Sequence, residues 1–155
     1  MKTDVTVGEL DRSDIDQAVQ LWQRCGLTRP WNDPQADAVR ALDGPSSTIL
    51  AARTGDARAG TEVVATAMVG TDGHRGWVHY VAVAEEHRRL GLGRQIMTAA
   101  EQWLADHGAP KVQLMVRSSN AAVVDFYAAQ GYVDQECLVL GKFLDPNLQQ
   151  LRNGG

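Results

Sequence analysis

The chain has 155 residues, enough for one domain with a substantial apolar core. Hydrophobic residues make up 44% and charged residues 22%, proportions that are ordinary for a globular protein. The formal net charge of −4 disfavours a protein that binds nucleic acid over a broad surface. No apolar run is long enough to cross a bilayer, and the first residues lack the apolar core of a signal peptide. We therefore expect a cytoplasmic protein with neither a membrane nor a nucleic-acid partner.

The cysteines and histidines predict neither a disulfide framework nor a metal site. Cys25 and Cys137 are too few to staple a fold, so we expect both to be reduced residues of the core. The four histidines show no metal-ligand spacing, either among themselves or with the cysteines. No metal is expected.

The first half of the chain predicts a strand, two helices and then an antiparallel meander. Alternating Val5 and Val7 indicate the strand. Asp11 is placed to cap a helix over residues 13–25, and Asp33 with Pro34 begins a second helix that runs to residue 42. The meander follows as three strand-like runs at residues 48–52, 62–69 and 77–83, separated by polar turns at 54–60 and 71–76.

The second half changes to alternating helices and strands. A helix begins near Gly91 and ends at Gly108, and residues 112–116 read as a strand. Strand 77–83, this helix and strand 112–116 form a β-α-β unit, so the two strands should run parallel. A last helix is predicted over residues 120–130, final strands over 132–143, and a frayed tail from Asp145.

The most informative stretch is Arg-Arg-Leu-Gly-Leu-Gly at residues 88–93, between a predicted strand and a predicted helix. Gly91 and Gly93 allow a tight turn that would aim main-chain amides and a helix N-terminus at one point, which suits a phosphate or pyrophosphate. Arg88, Arg89 and Arg94 add fork-shaped cationic donors. The alternative is a plain strand-to-helix turn with solvated arginines.

A second candidate constellation lies on the last predicted helix. Asn120 and Tyr127 are seven residues apart, so they share a helix face about 10 Å apart. Tyr127 has a hydroxyl that can donate a proton. Taken singly, Asn120 is as well explained as a helix cap and Tyr127 as a core ring.

Together these parts resemble the GNAT superfamily of acetyl-CoA-dependent N-acetyltransferases, over about residues 5–144. The motifs that carry the resemblance are Val81-Ala82-Val83, Arg88-x-x-Gly91-x-Gly93, Asn120, Phe126-Tyr127 and Gly131-Tyr132. Residues 25–34 and 72–76 look like the small bacterial YpeA-type branch, and residues 116–122 are similar to RimI-type peptide N-terminal acetyltransferases. One departure is Met115, which stands where RimI-type enzymes carry a glutamate.

The resemblance implies an α/β (α+β) fold in a single domain over residues 3–145, followed by a short flexible tail over 146–155. Its sheet would be mixed and mostly antiparallel, with six to seven strands, a splayed parallel pair and about four flanking helices. It also implies acetyl-CoA as cosubstrate and direct attack by the acceptor amine, with no acyl-enzyme. Tyr127 would protonate the departing thiolate. The implied cofactor contacts are Val81, Val83, Arg88, Arg89, Gly91, Leu92, Gly93, Arg94 and Asn120.

The acceptor side is less defined by the sequence. Trp31, in the loop between the first two helices, and Asp72, in a later turn, are candidate substrate contacts. His79 is a further substrate contact and a candidate general base, because its ordinary pKa suits that role. Glu85, Tyr80, Asp72 and a water chain are the other candidate bases. The acceptor is expected to be a small metabolite, an amino acid or a protein N-terminus.

Two other readings of the sequence stay open. A CoA sensor would keep the cofactor cleft without turnover, although retention of Tyr127 argues against it. A dinucleotide-binding fold is disfavoured, because the glycine turn follows several antiparallel strands instead of opening the first β-α-β unit. Exposed strand edges are compatible with a homodimer.

Overall fold

The computed structural model describes residues 4–56 and 60–154, which fall into two compact units, one up to Leu114 and the other from Met115. The first unit contains β1 (Val5–Glu9), α1 (Ile15–Arg24), α2 (Pro34–Asp43), β2 (Ser47–Asp56), β3 (Gly60–Thr71), β4 (Gly76–Val83), α3 (Leu92–Asp106) and β5 (Val112–Leu114). Short 3-10 turns, Arg12–Asp14 and Glu85–His87, precede α1 and follow β4. The second unit contains α4 (Ala121–Ala128) and α5 (Pro146–Asn153).

The five strands form one sheet in the order β1-β2-β3-β4-β5. The first four pair antiparallel, and β4 pairs with β5 in parallel. The meander and the β-α-β unit that the sequence predicts are therefore both confirmed. The fold is mixed α+β, as expected.

Local signals in the sequence place the first two helices. The carboxylate of Asp11 accepts a hydrogen bond from the amide of Ser13 at 2.9 Å, which starts the 3-10 turn that leads into α1. The carboxylate of Asp33 accepts from the amide of Ala36 at 3.0 Å, and Pro34 occupies the first turn of α2. The predicted apolar stripe of α1 is buried, and its members are Ile15, Ala18, Leu21 and Trp22.

Helices cover both faces of the sheet. The indole of Trp22 on α1 donates to the hydroxyl of Thr66 on β3 at 2.8 Å, which places α1 on the Thr66 face. Gly76 on β4 lies against Leu104 of α3 and pairs with Thr71 on β3. Because side chains alternate along a strand, Thr71 and Thr66 point to opposite faces, and so α3 packs on the face opposite α1.

Two features of β4 shape the edge beyond it. The register with β3 shifts between Thr66 and Met68, so that two residues of β4, Tyr80 and Val81, stand opposite one residue of β3. The parallel pairing with β5 comprises only Gly76, Trp77 and Val78 within the described ranges. After Val78, β4 therefore has no parallel neighbour among the described residues, which agrees with the splayed parallel pair that the resemblance implies.

The strand count and some boundaries differ from the sequence-based expectation. The described residues form five strands, not six to seven, because residues 132–143 adopt no regular secondary structure. A strand needs the backbone of a neighbour, and alternation in the sequence cannot supply one. Predicted strand 112–116 ends at Leu114. The predicted turn at 54–60 is shorter, since β2 reaches Asp56 and β3 begins at Gly60; residues 57–59 lie outside the described residues.

The second unit adds a helix that the sequence analysis missed, so the described residues form five α-helices where about four were expected. α5 begins with two standard signals, a cap at Asp145 that accepts from the amide of Asn147 at 2.9 Å and a proline in the first turn. Its position near the chain end had suggested only fraying. The single-domain boundary and the flexibility of the tail stay predictions.

The expectation that both cysteines are core residues is wrong. Both thiols are free, but Cys137 is exposed and Cys25 is only half-buried, so neither is a core residue. Among the described residues, no helix combines the length and apolarity needed to span a membrane.

The contact between β4 and α3 gives a test of the packing. A methyl group added at Gly76 would lie 2.8 Å from both terminal carbons of Leu104, which is itself buried. We expect Gly76→Ala to lower the free energy of unfolding by about 1–3 kcal/mol, because the core cannot yield freely. Urea unfolding measures this change.

The control is Gly8→Ala, where an added methyl group meets no atom within 4 Å. It should leave the unfolding midpoint nearly unchanged. A Leu104→Val background, which shortens the opposing side chain, should reduce the cost of Gly76→Ala; an unreduced cost would contradict the packing argument.

Candidate active site

The turn from β4 into α3 has an unusual backbone. After Val83 the chain makes the 3-10 turn Glu85–His87, and Arg89 and Gly91 then take left-handed conformations with φ of 66° and 81°. Gly91 is the N-cap residue of α3. The predicted need for glycine at this junction is thus met at Gly91, where a left-handed residue lets the chain enter the helix directly.

The N-terminus of α3 has no side-chain cap. Gly91 has no side chain with which to cap the helix, and the first intrahelical bond runs from the amide of Gln95 to the carbonyl of Gly91 at 3.1 Å. The first-turn amides therefore point out of the helix, at the positive end of its dipole. Leu92 is 4% exposed, so its side chain anchors the helix in the core and only its main chain can contact a ligand.

Arg88 folds back onto the end of β4. The Nε of Arg88 donates to the carbonyl of Val83 at 3.2 Å, and its Nη2 lies 3.7 Å from the sulfur of Cys25. The thiol of Cys25 also donates to the carbonyl of Val83, at 3.6 Å. All three arginines are exposed, on the turn and the first turn of α3, but Arg88 is also tied to the end of β4.

A cleft of about 290 Å³ lies beside this turn. Its lining residues come from the end of α1 and from the segment after β4: Leu21, Arg24, Cys25, Ala84, Glu85, Glu86 and Arg88. The imidazole Nδ1 of His87, in the same segment, is buried and has no hydrogen-bond partner within the described ranges.

The main chain of β4 offers hydrogen-bonding groups to its open side. The amide of Ala84 donates to the carbonyl of Val64 on β3 at 2.8 Å. Since successive residues of a strand point their polar groups to alternate sides, the polar groups of Val83 and Val81 face away from β3. They lie beyond Val78, the last residue of β4 that pairs with β5.

The predicted acceptor-side residues have different surroundings. The carboxylate of Asp72 accepts from the amides of His74 and Arg75, at 2.8 and 2.7 Å, and from the indole of Trp77 at 3.0 Å. These bonds, that of the Arg75 amide first, lower the pKa of Asp72 to about 2. Asp72 therefore organises its own turn and is too weak a base to take a proton from an amine. Trp31 is half-buried in the loop between α1 and α2.

His79 is the first residue of β4 beyond the parallel pairing, and its ring stacks on that of Trp77 with centroids 6.5 Å apart. Loss of solvation disfavours the charged imidazolium and lowers the pKa of His79, whereas the negative charge of Asp37 on α2 acts to raise it. The imidazole is therefore neutral at pH 7, the form that a base requires.

The second unit contains Asn120 and Tyr127, the two candidates of predicted helix 120–130. Asn120 is the N-cap of α4, and its side chain accepts from the amide of Val123 at 3.4 Å. Tyr127 is buried and makes edge-to-face contacts with Phe126 and Tyr132, with centroids 5.0 and 5.5 Å away. Burial raises the pKa of Tyr127 to about 12, so its hydroxyl keeps its proton at neutral pH.

Sequence reasoning missed the part that Asp37 and Tyr80 play together. The hydroxyl of Tyr80 donates to the carboxylate of Asp37 at 2.8 Å, which joins α2 to β4. Asp37 reads in the sequence as a solvated first-turn helix residue, and nothing local marks Tyr80 as left-handed. The contact spans 43 positions of the chain, so only the fold brings the two side chains together.

Comparison with known proteins defines the class. A profile of the acetyltransferase (GNAT) family matches residues 15–132. An acetyltransferase of Pectobacterium atrosepticum is 37% identical over 133 residues, which cover 86% of this chain and 91% of that protein. The chain therefore belongs to the acetyltransferase (GNAT) family and is an enzyme of the acyltransferase class. Its assignment to the YpeA-type or RimI-type branch stays a prediction.

Solved structures agree on the fold. The aminoglycoside N-acetyltransferase AAC(6')-Iy in complex with CoA matches with a TM-score of 0.78 and 12% identity, over 94% of this chain and 98% of that one. Glucosamine-6-phosphate N-acetyltransferase from Arabidopsis thaliana matches with a TM-score of 0.67 and 19% identity, over 92% and 99%. At these identities the likeness establishes the fold alone.

The left-handed start of α3 generates a prediction. An added methyl group at Gly91 meets no protein atom within 4 Å, so it would project into open space at the residue that starts the helix. We expect Gly91→Ala to weaken CoA binding at least about tenfold, measured by calorimetry. The strain of a left-handed alanine should also cost about 1–2 kcal/mol of stability.

Gly108→Ala is the matched control. Gly108 also has a φ of 81° and open space around it, but it follows the opposite end of α3. This variant should lose similar stability and keep its affinity for CoA. If both variants bound CoA with the affinity of the wild-type protein, the N-terminus of α3 would be excluded from the binding site.

Proposed function

We propose that this acetyltransferase transfers an acetyl group from acetyl-CoA to a primary amine. Two neighbouring features carry the proposal. The N-terminus of α3 starts at a glycine and has no side-chain cap. The strand before it, β4, has no parallel neighbour after Val78 in the described ranges. The first feature suits a pyrophosphate and the second suits an extended amide chain. Acetyl-CoA has both chemical parts.

The residues of the first unit divide the binding task. The amides that follow Gly91, with the exposed arginines Arg89 and Arg94, would hold the phosphate groups. The main chains of Val81 and Val83 would pair with the pantetheine arm as an added strand does. Arg88 would act indirectly, because its guanidinium already holds the carbonyl of Val83. Asn120 is retained as a proposed contact through groups that capping α4 does not use.

Acetyl-CoA supplies an activated thioester, and the protein supplies placement and proton transfer. The amine nitrogen forms a bond to the carbonyl carbon while the carbon–sulfur bond breaks. A main-chain amide near Val83 stabilises the charge that develops on the carbonyl oxygen. Tyr127 donates its proton to the departing sulfur, and a base accepts the proton that the amine loses, which balances the reaction.

Among the candidate bases, His79 is favoured. Asp72 has a pKa of about 2 and is bound within its turn. Tyr80 donates to Asp37, and burial together with that carboxylate raises the pKa of Tyr80, so it holds its proton. Glu85 lies in the 3-10 turn after β4 and lines the cleft there. His79 is neutral and stands where β4 leaves its parallel neighbour.

For the acceptor we propose a small cationic amine. Asp33 and Asp37 place two carboxylates at the start of α2, and both add negative charge around Tyr80. The structural neighbours are named for aminoglycoside and glucosamine-6-phosphate N-acetylation, and these acceptors are amines of small molecules.

Release of free CoA thiol tests the activity directly. The purified enzyme is mixed with acetyl-CoA and a panel of amines, and the thiol is followed with a chromogenic disulfide. Amine-dependent release is expected. Tight CoA binding without release for any amine would favour the sensor, and failure to bind CoA would overturn the proposal.

Tyr127→Phe tests the proton donor. The variant keeps the ring contacts and removes only the hydroxyl, so we expect kcat to fall about 10 to 1000-fold with little change in stability. Tyr132→Phe is the matched control, because it deletes the hydroxyl of a ring packed on Tyr127. An unchanged rate in Tyr127→Phe would remove this residue from the mechanism.

The base assignment predicts a pH dependence. At saturating amine, kcat should fall as pH drops below the ordinary histidine pKa of about 6.5, where His79 gains a proton, and His79→Gln should lack this acid limb. Because the charge of Asp37 raises the pKa of His79, Asp37→Asn should lower it further, as measured by NMR titration of the imidazole. Asp43→Asn, at the other end of α2, should leave the titration in place. A retained acid limb in His79→Gln would exclude His79.

A further inference from the structure

The strained point of β4 is Tyr80. Its φ is 50°, a left-handed conformation that is strained for a residue with a side chain. It lies in the bulge where β4 carries one residue more than β3, and Ala82 regains register opposite Thr66. Such strain persists only where the surrounding structure holds it.

Two neighbours hold the backbone and ring of Tyr80. Its ring stacks on that of Trp22, with centroids 4.1 Å apart and an interplanar angle of 17°. The hydroxyl of Thr66 donates to the carbonyl of Tyr80 at 2.9 Å and accepts from the indole of Trp22 at 2.8 Å. Trp22 and Thr66 are both fully buried, so this support is rigid.

A third support comes from α2. The Tyr80 hydroxyl donates to Oδ2 of Asp37 at 2.8 Å, and Oδ1 of Asp37 accepts from Arg40 at 2.9 Å. A ring that served only packing could be phenylalanine. The hydroxyl gives this ring a fixed end on the helix that follows the candidate acceptor loop.

The bulge determines the direction of the main chain after it. Val81 and Val83 turn their polar groups to the open side of β4 only because the extra residue at Tyr80 resets the alternation along the strand. A small rotation at Tyr80 would therefore re-aim the groups proposed to hold the acyl donor.

We propose that the hydrogen bond from Tyr80 to Asp37 is a positioning contact, through which α2 fixes the bulge of β4 in the shape that acetyl transfer needs. The inference rests on the proposed function. Tyr80 and Asp37 act through the main chain of β4 and need not touch the reacting atoms.

Three single variants and one double variant test the contact. Tyr80→Phe and Asp37→Ala each remove the bond, and we expect kcat with acetyl-CoA to fall about tenfold or more, with a smaller rise in the Kd of CoA because the proposed phosphate contacts of α3 are untouched. Asp37→Asn keeps an oxygen that accepts from the hydroxyl, so its kcat at saturating amine and about pH 8 should fall less than that of Asp37→Ala, while the lost carboxylate charge should raise the KM for a cationic amine. The double variant Tyr80→Phe/Asp37→Ala should lose no more than either single variant, because both remove the same contact.

Several results would overturn the proposal. A wild-type kcat in Tyr80→Phe would do so, as would losses that multiply in the double variant. A loss in Asp37→Asn equal to that in Asp37→Ala would show that the charge matters and not the bond. Asp14→Asn, which weakens a contact of α1's leading turn with Arg53 on β2, is the control for a general loss of stability.

Failure of the proposed function would look different, because the wild-type enzyme would then release no thiol with any amine. The positioning contact is testable even so. The amide NMR signals of Val81 and Val83 should shift in Tyr80→Phe and Asp37→Ala but stay in place in Asp37→Asn. Unshifted signals in all three variants would overturn the inference without reference to activity.

Discussion

The short parallel ladder between β4 and β5 is the constraint on which the candidate site depends. Three residues of each strand pair, and β4 then continues to Val83 without that neighbour in the described ranges. Main-chain amides and carbonyls in such a place need partners, since an unsatisfied buried polar group is costly. The protein meets part of this need itself, by directing Arg88 and Cys25 to the carbonyl of Val83. The rest of the edge is available to an extended ligand.

The turn that follows has two separate tasks. Arg88 folds back and closes the end of β4, whereas Gly91 starts α3 with its amides directed outward. Of the three arginines read from the sequence, Arg88 is thus bonded to the end of β4, while Arg89 and Arg94 are exposed on the turn and the first turn of α3. Cys25 takes part in the same closure, although its residue type suggested only a core position.

The acceptor side shows how little a local polar pattern says about role. The sequence offers Asp72 as a polar group in a turn and His79 as a lone histidine on a strand. Asp72 is occupied by three hydrogen bonds of its own turn, and His79 stands beside the charge of Asp37 at the start of the splay. The network from Trp22 through Thr66 and Tyr80 to Asp37 joins α1, β3, β4 and α2, and it has no signature along the chain.

The sequence by itself determined the element order of the first unit, the caps at Asp11 and Asp33, the glycine start of α3 and the parallel pairing of β4 with β5, because capping, left-handed turns and β-α-β connections depend on residues close in the chain. The strands predicted over residues 132–143 are wrong, because strand pairing requires a neighbouring strand that the local sequence cannot provide. Only the tertiary structure decided that β5 leaves β4 after Val78, that Tyr80 turns left-handed, and that Asp37 reaches its hydroxyl. Each of these features depends on contacts between residues distant in sequence. The energies of such contacts depend on burial and on geometry that no local pattern contains.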